Sequence, residues 1–290
     1  MGHFSTATYF NDQPAQAAST TRTSQWYALR AAEVFITIAV LLAGYVFYQA
    51  YWSNIKADHA QADVSEQLQH QWSQAANGKA TPAVDPNAVG EGEPIAQMYI
   101  PSFGNEWSYT VVSGTTMPSL VKGPGFYRGS QNFGDTGNSA IAGHRDGTGA
   151  PFYDLDKLHT CDAVVVETSE SWLVYRVLPT GAVSDKVGKM RECVRDYRTA
   201  SQLAQREYRD VQGQEIITPD VVDTVAPVPY HPEISPDRAH MSMLTLTTCH
   251  PHWENGQRLV IHAMLAEEIE KSSVETGFKP DVLTEGVESV

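Results

Sequence analysis

Leu244-Thr245-Leu246-Thr247-Thr248-Cys249-His250-Pro251 is the stretch on which the reading of this chain turns. Residues 243–248 have the β-branched and aliphatic make-up of a strand, and Cys249 ends that run just before Pro251. A strand end at the rim of a sheet presents its side chain to solvent, so a free thiol there can serve as a nucleophile. A second strand-like run, 259–265, opens right after Arg258. A hairpin between the two runs brings the Arg258 guanidinium beside the Cys249 thiol. Arginine cannot act as a base, but its planar fork of donors can hold an oxyanion.

Working outward, short runs of the same make-up recur at 97–100, 107–112, 139–142, 163–168, 172–178 and 221–228, separated by Gly, Pro and Asn. With the two already described they make eight strands. This predicts a mainly β fold, a closed or nearly closed eight-stranded barrel that leaves no exposed strand edge. Between 184 and 211 the pattern changes: Val187, Met190, Val194, Tyr197 and Leu203 fall at helical intervals among charges, which predicts a helical insertion between two strands.

A thiol with an ordinary pKa of ~8.5 needs a neighbouring base or cation before it attacks. His144, in Ala142-Gly143-His144-Arg145-Asp146-Gly147, follows a short apolar strand and enters a turn, again a rim position. Arg145 and Asp146 are read as caps of that turn. Cys249, His250 and His252 invite a zinc reading, but the spacing is poor for a tetrahedral site and no second ligand pair follows, so no metal is expected. His231, His240 and His262 are read as ordinary surface or core histidines. The odd cysteine count leaves two options open. Either Cys161 and Cys193 bridge in an exported domain while Cys249 stays free, or all three are thiols.

Residues 34–55 carry no charge and are dense in Val, Ile, Leu, Phe and Ala, and about 20 such residues span a bilayer as a helix. Aromatic pairs flank the run, Trp26-Tyr27 before it and Tyr51-Trp52 at its end. Arg22 and Arg30 on its N-terminal side predict that this end is cytoplasmic and that the remainder lies outside. The expected plan is a cytoplasmic tail over 1–30, a transmembrane helix over 31–55, an extracellular linker over 56–94, a catalytic barrel over 95–266 and an acidic tail over 267–290. The net charge of -14, with no cluster of Lys and Arg, excludes nucleic acid as a partner.

Taken together, three segments resemble the sortases: Thr245-Leu246-Thr247-Thr248-Cys249 as the signature TLxTC, Ala142-Gly143-His144, and Arg258 in the following strand. Similarity to class E, the housekeeping type of high-GC Gram-positive bacteria, comes from Thr247-Thr248-Cys249-His250-Pro251, Gly123-Pro124-Gly125-Phe126-Tyr127, and the run from Gly149 to Leu158. The resemblance implies a cofactor-free cysteine transpeptidase that cleaves a C-terminal LAxTG or LPxTG sorting signal between Thr and Gly. It then passes the acyl group to a peptidoglycan amine. Its implied partners are surface proteins bearing that signal, the wall amine and the membrane.

In that family's terms Cys249 attacks, His144 moves the proton and Arg258 holds the oxyanion, while Tyr127, Thr248 and His250 border the substrate. Tyr127 falls where the family reads the residue after Leu. Two rival functions remain: a pilin-polymerising sortase, for which the C-terminal membrane helix and lid motif are not seen, and a non-catalytic barrel that binds sorting signals.

Overall fold

The computed structural model describes residues 20–76, 84–194, 196–275 and 277–284. Parts of the expected tails and linker (1–19, 77–83 and 285–290) lie outside the described residues. Nine strands form one sheet: β1 (Pro94–Tyr99), β2 (Ser108–Ser113), β3 (Gly125–Phe126), β4 (Gly137–Ala142), β5 (Ala163–Glu167), β6 (Ser171–Val177), β7 (Gln214–Ile217), β8 (Ser242–His250) and β9 (Gln257–Glu270). Around the sheet the order is β6-β5-β1-β2-β3-β4-β8-β9, and β6 pairs back onto β9, so eight strands close a ring. The eight-stranded barrel expected from sequence is what forms.

β9 makes closure possible by its length. One edge pairs with β8, while the other takes β7 along 258–261 and β6 along 263–270. Alternation then separates the two faces of each strand. Leu244 and Leu246 of β8, Leu259, Ile261 and Ala263 of β9, and Ile141 of β4 point into the barrel core with Met98, Val111, Val164, Val166 and Tyr175. Their odd-numbered or even-numbered neighbours face outward.

The insertion between β6 and β8 covers part of that outer face. It holds α3 (Val183–Met190) and α4 (Tyr197–Ser201), after the single turn α2 (Met117–Leu120) earlier in the chain. Met190, Val194 and Leu203 are buried against Leu178, Met243 and Met264 in a second apolar cluster, as the helical spacing predicts, whereas Tyr197 is exposed. Cys161 and Cys193 are bridged, with Cα atoms 5.6 Å apart, which ties the insertion to the start of β5.

One expected strand is absent. Residues 221–228 form a 3-10 turn at Val222–Val225; the eighth place in the ring is filled by the unexpected short strand Gly125–Phe126, and Gln214–Ile217 adds to β9 outside it. Pro227 and Pro229 lack the N–H that a ladder needs, which disfavours pairing there despite the run of valines.

Ahead of the barrel, α1 runs Thr20–Ala76. Within it, Gln25–Tyr48 is long and apolar enough to cross a membrane, with Leu41, Phe47 and its other large apolar side chains exposed. Further along, Ala57, Gln61, Val64 and Leu68 recur at helical spacing on one face. Ala57, Val64 and Leu68 are buried. The Gln61 side chain bonds backbone groups of Thr110 and Lys122, and Trp72 lies 4.2 Å beneath the Lys271 ammonium. A short α5 (Asp281–Thr284) lies near the C-terminus, and its Val282 and Leu283 pack with Phe278 on the outer face of β5 and β6.

Candidate active site

β4 and β8 run parallel in a register that ends with Ala142 against Thr247. Gly143 N donates to Thr247 O at 3.1 Å, so the pairing continues past the last ladder residue. His144 comes two residues after Ala142, and Cys249 two residues after its partner Thr247. On the other side of β8, Cys249 is the direct antiparallel partner of Arg258. Parity agrees with register. Ile141, Leu246 and Leu259 point into the core, so His144, Cys249 and Arg258 all belong to the opposite, outer face. Cys249 and Arg258 thus sit side by side on β8 and β9, and His144 lies just past the end of the adjoining β4.

Glycine is required at 143, because a Cβ there would lie 2.5 Å from the buried Phe152 ring. The ring presses on the segment that carries His144. Burial pushes the His144 pKa below its ordinary 6.5. Its Nε2 is buried and has no hydrogen-bond partner among the described residues, leaving that nitrogen able to give or take a proton. Cys249 is a free, half-buried thiol. Arg258 Nη1 donates to Asn255 O and Gln257 O, both at 2.9 Å. The guanidinium is thereby oriented by its own turn, and donors remain for an oxyanion.

The other expected site residues fall less simply. Thr248 has the parity of Leu244 and Leu246, is 3% exposed, and donates its hydroxyl to Gly143 O at 2.8 Å. Its side chain stitches β8 to β4 and faces inward, so only its backbone borders the site. His250 accepts from Arg145 Nη1 through Nδ1 at 2.7 Å. Because a guanidinium only donates, the ring proton sits on Nε2. Burial first and the Arg145 charge second lower the His250 pKa.

Tyr127, just past β3, places its hydroxyl 2.9 Å from that of Thr247, two residues before the nucleophile position on the same face. Beside Tyr127 opens a groove of about 840 Å³ lined by Val221, Val222, Val225 and Pro227 together with the charged Arg128, Asp220 and Asp223.

Arg145 and Asp146 do not cap the turn after His144 as expected. They reach across to the β8–β9 turn, through His250 and through His252 and Trp253 respectively. Sequence spacing hides this, since the partners lie more than a hundred residues apart. His262 is a core histidine, bonded to Thr245 at 2.8 Å and to Glu215 at 3.3 Å. Among the described residues no cluster of three or more His, Cys, Asp or Glu could hold a metal ion.

Cys249 and Arg258 are cross-strand partners at one end of the barrel, and His144 lies just past the end of the neighbouring strand β4. Residues 98–266, more than half of the chain, match the sortase domain, and the chain belongs to the sortase family, whose members are cysteine transpeptidases. Among curated proteins it is 31% identical over 156 residues to sortase SrtE2 of Streptomyces coelicolor, a match covering 51% of this chain and 61% of that one. It is 28% identical over 259 residues to SrtE1 of the same organism, covering 87% and 59%. These matches span about three-fifths of each relative and support class E membership. Of solved structures, SrtF sortase from Corynebacterium diphtheriae is similar at 39% identity and a TM-score of 0.65, over 71% of this chain and 99% of that one.

Proposed function

We propose that this chain anchors proteins to the cell wall by transpeptidation of an LAxTG- or LPxTG-like sorting signal. The observation that supports it most directly is the pairing of Cys249 with Arg258 on β8 and β9, with His144 just past the end of the adjoining β4. His144 takes the Cys249 thiol proton as the sulfur attacks the Thr carbonyl carbon, and the oxyanion that forms is held by Arg258. Collapse breaks the Thr–Gly bond, and His144 donates its proton to the leaving Gly amine. Neutral His144 then removes a proton from the incoming peptidoglycan amine as it attacks the thioester, and the thiolate leaves. Tyr127, with the backbone of Thr248 and His250, borders the bound signal, and the valines of the groove beside Tyr127 offer contacts to its aliphatic residues.

The proposed setting is a single-pass membrane protein with residues 1–30 cytoplasmic, 31–55 in the membrane, and the barrel outside on the segment that follows. The test is mass spectrometry of the protein with LAxTG and LPxTG peptides and candidate amines. Wild type gives a thioacyl adduct and then product. Cys249→Ala gives neither while keeping its melting temperature, and persistent transfer by that variant sinks the assignment.

A further inference from the structure

The turn between Cys249 and Arg258 has little to hold it. Pro251 and residues 253–257 are exposed, so no burial in the core fixes their path. Trp253 is 79% exposed and adopts φ 65°, a left-handed conformation that an aromatic residue rarely takes without support. Yet this turn supplies the Asn255 and Gln257 carbonyls that orient the Arg258 guanidinium.

The support comes from the strand that carries His144. Asp146 Oδ1 accepts from His252 Nδ1 at 2.7 Å, and Asp146 Oδ2 accepts from the Trp253 backbone N–H at 2.8 Å. The second bond falls on the residue in the left-handed conformation. The His252 ring also packs at a tilt against Tyr153, with ring centroids 4.6 Å apart. Next to Asp146, Arg145 is 2% exposed and bonds both His250 and Asp156, the latter at 2.9 Å, so the base of the turn is pinned as well.

We infer that Asp146 is a positioning residue for Arg258: its carboxylate braces the β8–β9 turn against the His144 strand end and so fixes where the guanidinium meets the oxyanion. The inference rests on the catalytic roles proposed above. A carboxylate suits the task because both oxygens accept, one for each donor in the turn; an amide has only one acceptor oxygen. The rest of the barrel does not depend on this contact, so its loss changes geometry at the site more than it changes the fold.

The experiment is a double-mutant cycle in the full-length protein, reading thioacyl formation with a sorting-signal peptide. Asp146→Ala is expected to lower kcat by roughly ten- to a hundredfold, the size of effect that a misplacement of about 1 Å produces, with KM little changed. Arg258→Ala lowers kcat as well, and adding Asp146→Ala to it costs little more. Asp146→Asn, which keeps the shape and one acceptor, falls between wild type and Asp146→Ala. If Asp146→Ala fails to fold, His252→Ala removes one of the two donors from the other side and goes through the same cycle.

Multiplying losses, or a normal kcat in Asp146→Ala, overturn the inference while leaving the catalytic reading intact. A normal kcat in Arg258→Ala overturns the role of Arg258 and the inference with it.

Discussion

At the scale of single residues, the faces of β8 and β9 are legible because strand parity and register can be counted. Leu244 and Leu246 mark the inner face of β8, so Cys249 must face outward, and the same count from Leu259 turns Arg258 the same way. That count also assigns Thr248 to the interior, a signal present in the sequence but overridden by its nearness to the nucleophile. The reach of Arg145 and Asp146 was not legible, because it depends on how two loops meet across more than a hundred residues. Two predictions belong here. Arg258→Lys keeps the charge and loses the fork of donors, so kcat should fall by roughly 10² or more, the size of losing one oxyanion donor; near-normal turnover in a steady-state assay reassigns the oxyanion to another group. His144 titrates below 6.5 in the fold and at its ordinary value once unfolded. Between those values the unfolded chain binds more protons, so stability falls as pH drops through that window. Urea midpoints measured from pH 7 downward should show a shallower slope for His144→Gln than for wild type, and equal slopes contradict the burial effect.

Elements that pack on the barrel differ in how plainly their sequence marks them. The helical insertion followed from spacing, since Met190, Val194 and Leu203 bury the face that periodicity assigns to them. The valines of 221–228 misled because β-propensity measures fit to a half-buried pleated surface, and Gln214–Ile217, a less apolar run, takes the pairing with β9. The Cys161–Cys193 bridge joins residues separated by 32 positions. The chain-entropy account gives such a loop about 4 kcal/mol. Denatured, unreduced protein should therefore show a single reactive thiol, Cys249, and mild reduction should lower the melting temperature without abolishing thioacyl formation. Three thiols in that count exclude the bridge. On the other flank, Leu68 of α1 is fully buried against the barrel, and truncating such a leucine costs about 2–5 kcal/mol. Leu68→Ala should lower the urea midpoint accordingly; an unchanged midpoint means that this part of the helix does not pack in solution.

Over the whole molecule, the distribution of charge argues for orientation. Before residue 56 the acidic and basic side chains cancel, with Arg22 and Arg30 on the N-terminal side of the apolar span, so the entire excess of -14 lies beyond it. Translocation of a segment is opposed by flanking Lys and Arg and little affected by Asp and Glu, so the proposed orientation keeps the Arg22 and Arg30 end in the cytoplasm and places no electrostatic barrier against export of the acidic barrel. Lys56, on the far side, is one cation against two. The disulfide agrees with a non-reducing setting for the barrel, and a thiol enzyme that joins proteins to a wall amine has its acceptor only on that side. Protoplasts carrying the full chain with distinct tags at the two ends separate the orientations. External protease should remove the C-terminal tag and the barrel while the N-terminal tag survives on a short membrane-held fragment. Replacing Arg22 and Arg30 with Gln and adding two lysines after Lys56 should reverse the bias and protect a fraction of the C-terminal tag. Protection of the C-terminal tag in the unmodified chain rules out an external catalytic domain, and with it transfer to the cell wall.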